Sequence, residues 1–182
     1  MQGATKQRWA LALMGAWVMG TIAVATMAAE NFYTIDRLLT VRSSAAFAQV
    51  VDRLGAVEAR DLLRYLASEL NRLYFQIWSF AQLAIGVVVV LLTRHTAPAR
   101  ARHGAAAMLA IAALLLAMTP MIVRVGRSLD FVPREPQPQA TQLFWILHGG
   151  YTTLTLLQLV LGVAVTVAVA HATRQDAVVT NL

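Results

Sequence analysis

The chain contains no cysteine, so disulfides, thiolate metal sites, iron–sulfur clusters and cysteine nucleophiles are excluded at the outset. It has a single lysine, Lys6, among 15 basic residues; the other 14 are arginine. Aspartate and glutamate are scarcer still, nine in all, and none falls within a long apolar run. That absence argues against a proton-coupled carrier, which places an acidic group inside its spans. No broken-helix pair or inverted repeat points to a carrier either. No nucleophile, base and orienting acid form a recognisable set, so no catalytic residue, metal site or cofactor is read from the chain.

What is present is apolar. Of the 182 residues 58% are apolar, where a soluble domain of this size carries about 45–50%. The excess comes in blocks. A helix of about 20 apolar residues crosses a bilayer, and four segments qualify, over 9–29, 73–93, 104–123 and 143–170. The reading is an all-α, polytopic membrane protein: four transmembrane helices in a bundle with a helical outer loop over 30–72 and a Pro-rich outer loop over 124–142, in one membrane domain. The first run, behind Lys6 and Arg8, is longer than the apolar core of a cleaved signal peptide and is read as a retained span.

Lys and Arg near the span ends set orientation. The side holding both termini carries Lys6, Arg8, Arg94, Arg100, Arg102 and Arg174 against Asp176 alone, with a compact ARARH between the second and third spans. The opposite side holds more basic residues, but they are spread over a longer stretch and nearly neutralised by acids. Both termini are therefore expected in the cytoplasm, the chain lying in the bacterial inner membrane. The net charge of +6 fits this topology and anionic lipid headgroups better than nucleic acid.

Local signals organise the first outer segment. SSAAFAQVVDRLG offers Ser43 or Ser44 as a cap, apolar Phe47, Val50, Val51 and Leu54, and a stop at Gly55. AVEARDLLRYLASELNR continues without Pro or Gly into the second span, which predicts one long helix over 56–93 with its first half outside the membrane. Pro133, Pro136 and Pro138 predict an extended path across the other outer loop. Pro120 is read as a kink or stop, with Thr119 capping the backbone it frees. Ala106, Ala110, Ala113 and Ala117 on the third span, Ala16 and Gly20 on the first, and Gly162 and Thr166 on the fourth are read as packing faces.

Polar residues at the outer mouths of the spans mark a candidate site. Glu69, Asn71 and Arg72 open the second span, with Tyr74 and Trp78 at the depth of an aromatic belt. A line of Asn71, Phe75, Trp78, Gln82 and Gly86 continues inward. The fourth span, FWILHGGYTTLTLLQLVLG, carries His148, Tyr151, Thr152, Thr155, Gln158 and Gly162 along one stripe. Arg124 and Arg127 leave the third span on this side, and Glu30, Asn31 and Asp36 leave the first. The expected binding zone is Asn71, Arg72, His148 and Tyr151, with Glu69, Arg124 and Arg127 around it. A purely structural role, polar groups bonding across helices, competes with binding. His95, His103 and His171 lie at the inner ends without an acidic ligand beside them.

FWILHGGYTTLTLLQLVLG also resembles the last helix of a family of small four-span bacterial membrane proteins of unknown function, itself distantly similar to a eukaryotic four-span protein implicated in drug resistance. The likeness rests on an aromatic residue, then Leu147–His148–Gly149, then a small or polar face; Phe32–Arg37 and the Phe75–Gln82 region are similar too. The family often carries an Asn a turn or two beyond the His, where this chain has Thr152, Thr155 and Gln158. The resemblance implies the four-span fold and interest in His148, and no mechanism.

The leading functional expectation is a non-enzymatic accessory or scaffold protein. Its partners are the lipid bilayer and a membrane protein or a second copy of the chain, bound through the outer polar zone and the Leu-rich face of the long helix. The runner-up is binding or export of a small amphiphile. A haem or quinone redox subunit comes third.

Overall fold

The computed structural model describes residues 2–41, 44–133 and 135–180. The described residues form five helices: α1 (Gln2–Val41), α2 (Ala45–Leu54), α3 (Ala56–Thr93), α4 (Ala99–Arg127) and α5 (Gln139–Thr180). No strand occurs among the described residues. Four helices, all but α2, are long and apolar enough to span a membrane. The protein is a multi-pass, all-α membrane protein.

At 1.5 Å per residue α1 and α3 are each nearly 60 Å long, about twice the hydrocarbon thickness of a bilayer. The single long helix over 56–93 is found with the bounds its sequence predicts. The first helix differs from expectation: it does not end with its apolar run near Ala29 but continues to Val41. ENFYTIDRLLTV holds no Gly or Pro to stop it, and the extension packs on α3 through buried Ala28 and Ile35 and an Asp36–Arg60 ion pair at 3.7 Å. The outer segment 30–72 is thus mostly two span extensions. The second loop is shorter than expected as well, because α4 runs to Arg127 and α5 starts at Gln139.

Ser44 provides the cap of α2, its hydroxyl accepting from the Phe47 N–H; Ser43 lies outside the described residues. Gly55 separates α2 from α3 at φ +92°, a left-handed conformation that side chains other than glycine resist. Its N–H donates to the Val51 carbonyl at 2.9 Å and its own carbonyl accepts from Ala59 at 3.0 Å, so one residue closes α2 and opens α3. Of the four apolar α2 residues only Val51 is buried; Val50 and Leu54 are exposed and Phe47 is half-buried.

The four spans pack as a square. α1 contacts α3 and α5, α4 contacts α3 and α5, and α1 and α4 are diagonal. Near the termini the square is closed by a core of Met14, Trp17, Val89, Ala101, Ala105, Met108, Ala112, Val165 and Val169. Small residues admit the large ones: a Cβ on Gly162 would lie 2.8 Å from Val18 and 3.2 Å from Met108, and the Trp78 indole lies on Gly20. Trp78 is therefore an interior packing residue rather than part of an aromatic belt. Trp17 Nε1–H donates to Gln82 Oε1 at 3.3 Å, and Gln158 Nε2–H to the Met108 carbonyl at 3.1 Å. These two glutamines tie α1 to α3 and α5 to α4.

The packing face of α4 is not the expected one. Ala106, Ala110, Ala113 and Ala117 are exposed; the buried face is Ala101, Ala105, Met108, Ala112, Leu115 and Thr119. Ala16 is exposed too. Pro120 does not stop α4, and the Thr119 hydroxyl donates to the Leu115 carbonyl at 2.8 Å, one residue before the Leu116 carbonyl that proline leaves unpaired.

Candidate functional site

At the end of the bundle opposite the termini the four spans separate around a cavity of about 540 Å³. α3 supplies its longest wall, from Asp61 through Arg72 to Phe75. α4 contributes Thr119, Ile122, Val123 and Gly126, and α5 contributes Phe144, Trp145, His148 and Tyr151. The loop after α4 closes the top with Leu129–Val132, while α1 offers only Phe32 and Asp36. A volume in the range of about 300–1,000 Å³ with mostly apolar and aromatic walls and a few polar groups is the usual anatomy of a small-molecule pocket.

The aromatic side chains build the floor and one side. Tyr151 is buried and meets Phe75 edge-on with ring centroids 5.8 Å apart. The Tyr151 hydroxyl is directed at Ser79 and Thr119, whose own hydroxyls lie 3.4 Å apart. One turn further toward the mouth, Phe144 stacks on His148 at 5.6 Å with an interplanar angle of 13°. At the rim Tyr65 from α3 meets Phe131 from the loop at 5.1 Å.

The seam between α1 and α5 is the open side. Phe32 is 41% exposed and Trp145 60%, and His148 is exposed as well, although all three line the cavity. Deeper in the bundle the same two helices close on each other where Val18 meets Gly162. The cavity therefore opens sideways, toward what surrounds the bundle.

A chain of charges spans the rim. Arg72 grips Asp130 with two parallel hydrogen bonds of 2.9 Å and also donates to Glu69. Glu69 in turn receives two from Arg127, at 3.1 and 3.3 Å. The Arg72 side chain is only 10% exposed, so this is a largely desolvated guanidinium held in the bidentate fork geometry that arginine suits. Arg127 and Arg72 together hold the Glu69 carboxyl below the usual carboxylate range. Alongside, Asn71 joins α3 to α1: it accepts from Asn31 Nδ2–H at 2.6 Å and donates to the Ala28 carbonyl at 3.0 Å.

Of the seven residues expected at the site, Asn71, Arg72, His148 and Tyr151 line the cavity. Glu69 and Arg127 stand behind the rim as the partners that fix Arg72. Arg124 is exposed, does not line the cavity and has no side-chain partner among the described residues. The threonines of the α5 stripe do not bond across helices: Thr152 and Thr155 each donate to the carbonyl four residues back, at 2.9 Å. Sequence reasoning missed Asp130, the residue that locks Arg72. Its signal was Arg72 itself, a cation at a span mouth that needs a carboxylate, and Asp130 begins the short acidic choice in the loop after α4. Phe32, Tyr65 and Phe131 were also missed as lining residues, since isolated aromatics at helix ends read as interface anchors.

The fold and cavity define a class, a four-span membrane protein with a side-opening pocket at one end. No protein-family model, curated protein or solved structure matches the chain.

Proposed function

We propose that this is a non-enzymatic membrane protein that binds an amphiphile from the outer leaflet of the bacterial inner membrane. The observation that carries the reading is the cavity: aromatic below, charged above, and open on the side where α1 and α5 would face lipid. An amphiphile approaching laterally would place its apolar part among Phe75, Phe144, Trp145 and Tyr151 and its polar part at the rim. Both termini are assigned to the cytoplasm, because Lys6, Arg8, Arg94, Arg100, Arg102 and Arg174 surround that end. The cavity then faces outward, and the likeness of the α5 segment to small four-span bacterial proteins agrees with the setting.

The test is retention of a phospholipid with a pyrene-labelled acyl chain through gel filtration in a neutral detergent. Wild type is expected to retain the probe. Val123→Phe and Ile122→Phe, which fill the cavity from α4, are expected to lower retention several-fold while leaving the tryptophan-emission melting curve in place. Equal retention by all three proteins would sink the reading.

A second reading has its own support. Val57, Leu62 and Leu66 on the extended half of α3 are exposed, Val57 at 70%. In a scaffold Leu62 and Leu66, four residues apart on one face, dock a partner protein. A co-purifying protein lost from Leu66→Glu and kept by His148→Ala would favour the scaffold over the amphiphile protein.

A further inference from the structure

We propose that the head of the cavity takes a phosphoethanolamine group, with the phosphate at Arg64 and the ammonium at Asp61, so that the ligand is a phosphatidylethanolamine-type lipid. The inference rests on the cavity being an amphiphile site, and adds which headgroup it selects.

The argument begins with which charges are already satisfied. Arg72 is used by Asp130 and Glu69, Arg127 by Glu69, and Arg60 by Asp36. Asp61 and Arg64 also line the cavity and are half-buried, yet neither has a hydrogen bond or ion pair to any described side chain. Each therefore has hydrogen-bonding capacity at the cavity wall that no described side chain uses. They lie three residues apart on α3, on one face and about 4.5 Å apart in helical rise. A headgroup whose anionic and cationic ends are joined by a short bridge can meet both side chains from one position.

Net charge selects the same class. Arg60, Arg64, Arg72 and Arg127 balance Asp36, Asp61, Glu69 and Asp130 across the lining and its ion-pair network. A net anion would satisfy Arg64 and face Asp61 unpaired; a net cation would do the reverse. A headgroup with both charges completes both. Between the common zwitterions, Asp61 favours the primary ammonium, whose N–H groups donate to a carboxylate; a trimethylammonium has no N–H to donate. The acyl chains would leave through the α1–α5 seam past Phe32 and Trp145.

The experiment is native mass spectrometry of the full chain in neutral detergent with equimolar lipids of identical acyl chains: phosphatidylethanolamine, phosphatidylcholine, phosphatidylglycerol and a trimethylammonium-propane lipid. The phosphatidylethanolamine adduct is expected to dominate several-fold. Asp61→Asn should lower it several-fold and bring phosphatidylglycerol to parity; Arg64→Gln should do the same for the cationic lipid. Both positions are half-exposed, and circular dichroism checks that the variants keep their helices. If wild type retains phosphatidylcholine, phosphatidylglycerol or the cationic lipid as well as phosphatidylethanolamine, the headgroup assignment is overturned. The same follows if neither variant changes the pattern. Adducts without headgroup preference that vanish in Val123→Phe would overturn the headgroup while keeping the cavity. Adducts that survive Val123→Phe undiminished would overturn the amphiphile site itself.

Discussion

The two ends of this bundle are built from the same four helices and solve opposite problems. Near the termini, alanines and glycines line the contacts, and Trp17 and Met108 fill the space they leave. At the other end the lining residues are large, Phe75, Phe144, Trp145 and Tyr151, and they hold the helices apart instead of interlocking. Their charges differ as well. The termini end gathers Lys6, Arg8, Arg94, Arg100 and Arg102 with no acidic side chain among the described residues there, whereas the cavity end is close to neutral and holds the ion pairs of Arg60, Arg72 and Arg127. Packing by small residues closes a span bundle; a pocket in it needs aromatic spacers and a polar network at the rim to take over the work of holding the helices in place.

The sharpest way to break the comparison is to remove the residue on which that network turns. Arg72→Met leaves Glu69 and Asp130 without their shared guanidinium in a part-buried setting. Loss of one partner from a buried ion pair is worth about 3–5 kcal/mol, and this partly exposed case should fall toward the lower end. Reversible unfolding in detergent, followed by tryptophan emission, measures it. Arg72→Lys should recover only part of the loss, since an ammonium does not reproduce the two parallel bonds to Asp130. A melting curve unchanged in Arg72→Met would show that the aromatic spacers alone hold the cavity end.

A paired glycine experiment sharpens the contrast between closed and open ends on one helix. Gly162→Leu forces side-chain volume against Val18 and Met108 and should destabilise by about 1–3 kcal/mol, the range for overpacking a filled core. Gly149→Ala meets open space and removes a helical glycine, so it should be neutral or stabilising by up to about 1 kcal/mol. The same unfolding assay reads both. Equal losses at the two positions would mean that α5 is packed as tightly at Gly149 as at Gly162.

How far such contrasts were legible in the sequence depended on whether the signal was local. The four apolar runs, the Ser44 cap, the Gly55 stop and the unbroken α3 all follow from residues adjacent in the chain. The extension of α1 to Val41 was also written locally, in a segment free of Gly and Pro, but hydropathy ends at Glu30 and hides it. The buried face of α4 was not legible: alanines occupy nearly every side of that helix, so spacing cannot choose between Ala105–Ala112 and Ala106–Ala113. Only the bulk of Met108, placed against Gly162, and of Leu115, buried two turns on along the same face, decides it. At the cavity, Asn71, Arg72, His148 and Tyr151 were visible because polar groups in apolar runs stand out. Asp130 was not, because a lone loop acid acquires meaning only when the fold brings it to Arg72 across a separation of 58 residues.

The smallest effect expected is on pH, and it separates the two ends cleanly. Glu69 has its carboxyl lowered by hydrogen bonds from Arg127 and then Arg72, and it precedes the apolar run of α3, so it stands at the mouth in contact with water. A carboxyl whose folded value lies below its unfolded value stabilises the fold above the unfolded value, and this contribution fades as the pH falls through the folded one. Stability should therefore be level near neutrality and begin to decline as the pH drops below about 4.5. In Glu69→Gln that part of the decline should be absent, the variant being less stable than wild type at neutral pH and approaching it in acid. Among the described residues the termini end has no acidic side chain to titrate in this window. Parallel pH profiles for wild type and Glu69→Gln would mean that the Arg127 and Arg72 contacts are too solvent-screened to matter, and that Asp130 alone anchors Arg72 at the cavity rim.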